Sequence, residues 1–124
     1  MPVNLLEASL RNLSDLIVID LCGEIDGKSE EILDRAYSDA EKFHPKAILL
    51  NFHEVGYINS TGIALIVSML AKARKVGVKL LASGLSDHYT EIFQITRLVD
   101  FMKIYPDEAS AIAAFAPRID QNKI

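Results

Sequence analysis

Residues 47–75 read AILLNFHEVGYINSTGIALIVSMLAKARK, and this stretch decides the fold class. Its first part, residues 47–52, is short and almost entirely apolar, which predicts a buried strand. Residues 61–75 instead repeat apolar side chains at helical spacing, which predicts a helix. Between the two lies a row of one amide, two hydroxyls and a glycine, residues 59–62. Strands that alternate with helices in this way are typical of an α/β domain with parallel strand pairs.

The same alternation continues outward in both directions. Further strands are predicted at residues 4–10, 16–22, 78–83 and 101–105, and further helices at 29–43, 86–97 and 107–116. The first two strands form a hairpin, so the sheet is mixed but mainly parallel. The order β-β-α-β-α-β-α-β-α thus predicts an α/β fold. The length suits a single domain over residues 1–124, with a core of about 4–116.

Composition sets limits on the function. The chain has 124 residues, 50% of them hydrophobic and 24% charged, with a net charge of -4. A nucleic-acid partner would require a basic patch, which this charge does not favour. No apolar run approaches the ~20 residues of a membrane span, and the first residues do not resemble a signal peptide. With Cys22 alone, no internal disulfide forms. We therefore expect a cytoplasmic protein with neither nucleic acid nor membrane as a partner.

Several enzyme classes lack their defining residues. The sequence contains no glycine-rich phosphate loop and no Gly-x-Ser-x-Gly elbow. His44, His53 and His88 are scattered without metal-ligand spacing. A nucleophilic role for Ser60 would need a histidine in a recognisable arrangement, and none is present. We expect no catalytic residue, no metal and no cofactor.

Two short motifs stand in a specific order along the chain. Residues 22–26 read CGEID at the end of the second strand, and residues 55–63 read VGYINSTGI after the third. Together with the element order, these motifs resemble the STAS domain. That fold belongs to anti-sigma-factor antagonists and also occurs at the end of sulfate transporters. The resemblance covers about residues 4 to 116.

The resemblance implies roles for individual residues. Ser60 corresponds to the serine that a cognate anti-sigma kinase phosphorylates, and Asp26 to the aspartate that assists this phosphorylation. Asn59 departs from the family, in which aspartate is usual at this position, and the departure bears on phosphorylation efficiency. By this resemblance the chain is a non-enzymatic antagonist. It binds an anti-sigma factor with serine kinase activity, and phosphorylation of Ser60 switches it off; ATP and magnesium belong to the partner.

The same residues also have purely structural interpretations. The start of a helix leaves backbone N–H groups unpaired, and we predict that at least one of Asn59, Ser60 and Thr61 caps them. Asp26 fits equally well as a helix cap or a turn residue. Gly62 has no Cβ and would allow another chain to approach closely.

The helix after Ser60 is predicted to face the sheet with Ile63, Ile66, Val67 and Leu70. Its other side would then present Leu65 and Met69, four residues apart. This pair either packs beneath a neighbouring element or anchors a partner. The predicted partner-binding residues are Glu24, Asn59, Thr61, Gly62, Leu65 and Met69.

An alternative function keeps the fold but changes the role. The chain could be a STAS scaffold component of a larger signalling assembly, with the same surface used for oligomerisation. A homodimer is also left open. Size-exclusion chromatography separates these hypotheses, because a large complex or filament favours the scaffold.

Overall fold

A computed structural model describes residues 4–115 and contains a five-stranded sheet with helices on both faces. The strands are β1 (Glu7–Leu13), β2 (Leu16–Ile25), β3 (Ala47–Ile58), β4 (Lys79–Ser83) and β5 (Lys103–Tyr105). The helices are α1 (Glu30–Glu41), α2 (Ser60–Lys75), α3 (Asp87–Ile95) and α4 (Glu108–Phe115). The strands lie in the order β1-β2-β3-β4-β5, antiparallel between β1 and β2 and parallel elsewhere. The predicted mixed α/β fold is confirmed.

Strands β2 and β3 extend well beyond their predicted ends. The sequence predicts a third strand that stops at residue 52, yet β3 continues to Ile58 in register with Ile25 at the end of β2. Strand β4 already ends at Ser83, opposite Asn51. The two long strands therefore project past the rest of the sheet as a ribbon. The last residue of the helix predicted at 107–116 lies outside the described residues.

Alternating side chains along the strands build two separate cores. Helices α1, α2 and α3 cover one face, where the buried strand residues include Ile17, Ile19, Ile48, Leu50 and Leu80. Helix α4 covers the other face, where Ala111 packs with Leu16, Val18, Leu49 and Leu81. Because both faces are covered, β2, β3 and β4 contain nearly continuous apolar runs.

Helix α2 is rotated relative to its predicted orientation. The buried residues of α2 are Gly62, Ile66, Met69, Leu70 and Ala73. Val67 is 45% exposed and Met69 only 4%, so the predicted positions of both are wrong. The reason lies at the start of the helix, where Gly62 is seated against the backbone of Ile25. That contact sets the rotation of the helix.

An ionic cluster joins α4 to the hairpin. The guanidinium of Arg11 contacts the carboxylates of Asp20 and Glu108, each at 2.6 Å. Asn51 donates a further hydrogen bond to Asp20 at 2.8 Å. Hydrogen bonds from Arg11 lower the pKa of both Asp20 and Glu108. The cluster thus holds the beginning of α4 over β1 and β2.

Candidate functional site

The two sequence motifs meet at the tip of the β2–β3 ribbon. Ile25 and Ile58 are register partners, and the amide of Asn59 donates to the carbonyl oxygen of Ile25 at 3.1 Å. The first motif ends at Asp26 and the second passes directly into α2. Because neighbouring parallel strands end at the same edge of a sheet, both connections emerge side by side there.

Asn59 is the N-cap of α2. Its backbone is extended, with φ -91° and ψ -178°, and its side-chain oxygen accepts from the amide of Gly62 at 2.8 Å. The prediction that one residue of 59–61 caps the helix is confirmed. An asparagine oxygen is sufficient for this bond, so the missing aspartate charge leaves the cap intact.

Ser60 and Thr61 are the first two residues of α2, and both are exposed. The first turn of a helix carries backbone N–H groups without intrahelical partners and a partial positive charge. A hydroxyl at this position is open to solvent and lies where added negative charge is favourable. The first turn of α2 contains no acidic residue of its own.

Gly62 serves the chain's own packing. It is buried, and a Cβ built on it would collide with the carbonyl group of Ile25. The prediction that Gly62 contacts a partner is therefore wrong. Its missing side chain allows α2 to approach the end of β2 within the same domain.

Asp26 opens a 3-10 turn, Gly27–Ser29, that leads into α1. Its carboxylate accepts from the amide of Lys28 at 2.9 Å, and its own amide donates to the hydroxyl of Ser29 at 3.0 Å. Ser29 in turn donates to the carbonyl of Glu24 at 3.2 Å. The capping interpretation of Asp26 is confirmed, and its role in phosphorylation stays a prediction.

The turn after Asp26 lies against the start of α2. A Cβ placed on Gly27 would be 3.6 Å from the methyl group of Thr61. The half-buried side chain of Asp26 therefore lies in the turn that borders the exposed hydroxyls. The turn that Asp26 opens therefore borders the first turn of α2.

Glu24 is held by the N-terminal segment. Its amide donates to the carbonyl of Asn4 at 2.9 Å. Next to it, Gly23 has a φ of +116°, and a Cβ there would be 2.6 Å from the carbonyl oxygen of Leu5. Glu24 is half-buried, so its side chain remains partly accessible beside the site.

Two aromatic residues of the site were missed by the sequence analysis. Tyr57 is the register partner of Glu24 and is 50% exposed. The third strand was predicted to stop at residue 52, and the exposed residues of β3 beyond that point do not alternate with buried ones, so no strand pattern indicated Tyr57. The hydroxyl of Tyr89 accepts from the amide of Ile58 at 2.9 Å. No sequence signal indicates this bond, because Tyr89 lies on α3.

The predicted apolar anchor on α2 does not form an exposed pair. Leu65 is half-buried and packs against the core, and Met69 belongs to the core itself. The prediction that Met69 binds a partner is therefore wrong, because the rotation of α2 turns this side chain into the core. The accessible part of the predicted partner surface consists of Glu24, Asn59, Thr61 and the edge of Leu65, and the predicted phosphoacceptor Ser60 is exposed beside Thr61.

The candidate site presents exposed hydroxyl groups at the start of α2. Within residues 4–115, no three histidine, cysteine or carboxylate side chains converge in a way that could hold a metal. His53 lies on the exposed part of β3, where its Nε2 is 3.9 Å from a carboxylate oxygen of Glu54. The arrangement can accept a phosphoryl group and can contact a second protein.

Comparison with known proteins gives a consistent result. The STAS domain family model matches residues 7–111. The anti-sigma-B factor antagonist of Listeria monocytogenes is 30% identical over 91 residues, which cover 73% of this chain and 80% of the relative. Among solved structures, an anti-sigma factor antagonist from Mycobacterium paratuberculosis gives a TM-score of 0.71 at 20% identity, covering 88% and 92% of the two chains.

The phosphorylated form of the Bacillus cell fate determinant SpoIIAA gives a TM-score of 0.68 at 22% identity, with 88% of this chain and 99% of that chain covered. Among residues 4–115, no helix has the length and apolar character that crossing a bilayer requires. The resemblance noted in the sequence is confirmed, and the chain belongs to the STAS domain family.

Proposed function

We propose that this chain is an anti-sigma factor antagonist. It binds an anti-sigma factor that has serine kinase activity, and phosphorylation of Ser60 ends the complex. The observation that carries the proposal is the position of Ser60, which is exposed as the first residue of α2. The names of the curated relatives support the regulatory role, because they are anti-sigma-B factor antagonists. The chain is then a substrate of its partner and not an enzyme.

The charge of a phosphate explains why modification would separate the proteins. A phosphoserine carries about -1.5 to -2 charges and three acceptor oxygens. At the start of α2 this charge is tolerated within the domain, since the helix end is partly positive. In a docked complex the same group would have to lose its hydration beside the carboxylates of Asp26 and Glu24. The fold would survive phosphorylation while the interface would not.

The test compares binding of the cognate anti-sigma factor by wild-type protein, Ser60→Asp and Ser68→Asp. Ser68 is also exposed on α2 and provides the matched control for an added charge on this helix. We expect Ser60→Asp to weaken binding by roughly a hundredfold, because like charges in an interface cost several kcal/mol. Ser68→Asp should bind nearly as well as wild type. Equal binding by all three proteins would contradict the proposal.

A second experiment addresses the chemistry directly. Incubation with the anti-sigma factor and ATP-magnesium should add one phosphate to the wild-type chain and none to Ser60→Ala, as read by mass spectrometry. Asp26→Asn should slow the reaction while it leaves binding unchanged. Phosphate found on Thr61 or elsewhere in Ser60→Ala would remove Ser60 from its proposed role.

A further inference from the structure

One end of the domain carries most of its exposed apolar side chains. Strands β2 to β5 begin there and helices α1 to α3 end there, because the connections of a parallel sheet place all these ends together. We call this end the amino-end surface. Among residues 4–115, nine large hydrophobic residues are exposed, and six of them lie on it: Leu13, Phe43, Val76, Ile95, Val99 and Phe101. The other three are Leu5, Tyr57 and Val67.

The amino-end surface is also basic, although the chain has a net charge of -4. Lys75, Lys79 and Lys103 are exposed and make no ion pair with any residue in 4–115. Arg74 stacks its guanidinium 4.6 Å above the ring of Phe101. Cations and apolar side chains are therefore interleaved on this surface.

We propose that the amino-end surface binds the surface of an anionic lipid bilayer. Exposed apolar tips between lysines fit the interface of such a bilayer, where each Lys or Arg near the surface adds about 1 kcal/mol of attraction. Protein interfaces, by contrast, are depleted in lysine and need shape complementarity. Val99 and Lys103 line an open depression beside Met102 and Tyr105, whereas Phe43, Val76 and Phe101 do not line it. Separate tips of this kind suit a fluid surface.

Carboxylates also lie on the amino-end surface: Asp15 pairs with Lys46 at 3.8 Å, Asp100 pairs with Arg97 at 2.7 Å, and Glu41 ends α1. Together with Arg74, Lys75, Lys79 and Lys103, the cations still outnumber them. Helix α2 has 16 residues and spans about 24 Å from Ser60 to Lys75. At physiological ionic strength charges are screened beyond about 8 Å, so carboxylates at the Ser60 end contribute little repulsion at the bilayer. A bound domain would hold Ser60 on the far side, turned to the solution. The finding that no helix in residues 4–115 could cross a bilayer does not bear on this proposal, because binding to the bilayer surface needs no spanning segment.

The test is co-sedimentation of the full chain with phosphatidylcholine vesicles and with vesicles of equal parts phosphatidylcholine and phosphatidylglycerol. We expect the protein to pellet only with the anionic vesicles, and to be released as salt is raised. Lys75→Glu/Lys79→Glu should reduce the bound fraction at least about tenfold. The control Lys28→Glu/Arg35→Glu makes the same change in net charge elsewhere on the exposed surface and should bind nearly as wild type.

A second variant tests the apolar contribution. Val76→Ser/Phe101→Ser should also weaken pelleting, with an unchanged circular dichroism spectrum. The proposal is overturned if the wild-type chain stays in the supernatant with anionic vesicles, or if both charge-reversal variants lose the same fraction of vesicle binding. It is also overturned if size-exclusion chromatography shows a dimer that Val76→Ser/Phe101→Ser dissociates, because a second copy then covers this surface. None of these outcomes depends on the anti-sigma partner.

Discussion

The two connections at the tip of the ribbon begin with the same kind of capping residue but differ in the exposure of their serine. Asp26 and Asn59 each cap the segment that follows, and each cap is followed by a serine and a glycine. In the first connection Ser29 is 2% exposed and makes two hydrogen bonds. In the second, Ser60 is exposed at the beginning of a long helix. Burial, and not the local motif, thus decides which serine is accessible from solution.

The largest expected effect is the difference in stability between alanine substitutions of Gly62 and Gly27, the glycines of the two connections. Gly62→Ala should destabilise the domain by about 3 kcal/mol, because the new methyl group would collide with the backbone of Ile25 in a packed core. Gly27→Ala is the matched control, since its Cβ would meet only the Thr61 methyl at 3.6 Å. It should change stability by less than about 0.5 kcal/mol. Urea unfolding measures both, and similar losses would contradict the difference in packing.

Alanine substitutions of the two serines, Ser29 and Ser60, should differ by a smaller amount in the free energy of unfolding. Ser29→Ala leaves the amide of Asp26 and the carbonyl of Glu24 without their partner in a buried turn. We expect a loss of about 2 kcal/mol in the free energy of unfolding. Ser60→Ala removes only an exposed hydroxyl and should cost less than about 0.5 kcal/mol. The contrast fails if Ser60→Ala is as destabilising as Ser29→Ala.

The cap of α2 should contribute about 1 kcal/mol. Asn59→Ala removes the acceptor for the amide of Gly62 and should lower the unfolding free energy by that amount. Asn59→Asp restores an oxygen and adds a charge that the helix start favours, so it should be at least as stable as wild type. Thermal unfolding followed by circular dichroism distinguishes the two. A stable Asn59→Ala protein would mean that the amide of Gly62 finds another acceptor.

The smallest effect lies away from both connections, at the Arg11 cluster. Arg11 lowers the pKa of Asp20 and of Glu108 in the folded state, so these bonds stabilise the domain fully at pH values above the ordinary carboxyl pKa of about 4. Their contribution is lost as pH falls through the lowered values. Arg11→Met should cost about 1 kcal/mol or less at pH 7, since the cluster is partly exposed.

The measurement for this cluster is urea unfolding of wild type and Arg11→Met at pH 7 and near pH 3. The difference between the two proteins should shrink at the lower pH, because the carboxylates of Asp20 and Glu108 are then increasingly protonated. A difference that stays constant would place the effect of Arg11 in packing instead of charge.

Much of the site was predictable from local patterns. The polar row of residues 59–62 before an apolar helical repeat indicates a helix start with a side-chain cap, and Asn59 provides it. The orientation of α2 was not predictable in the same way. Apolar residues of α2, including Leu65, Val67 and Met69, lie on several sides of the helix, so periodicity alone allowed more than one buried face. The contact of Gly62 with Ile25 selects one of them.

The sequence by itself determined the order of strands and helices, the fold class and the presence of a side-chain cap within residues 59–61, because these depend on neighbours within a few residues. Only the tertiary structure decided that Ser29 is buried while Ser60 is exposed, that Met69 lies in the core, and that Tyr89 holds the end of β3. Each of these depends on segments that are distant along the chain and meet only when the sheet and its helices pack. The pattern of residues around each position carries no information about these long-range contacts.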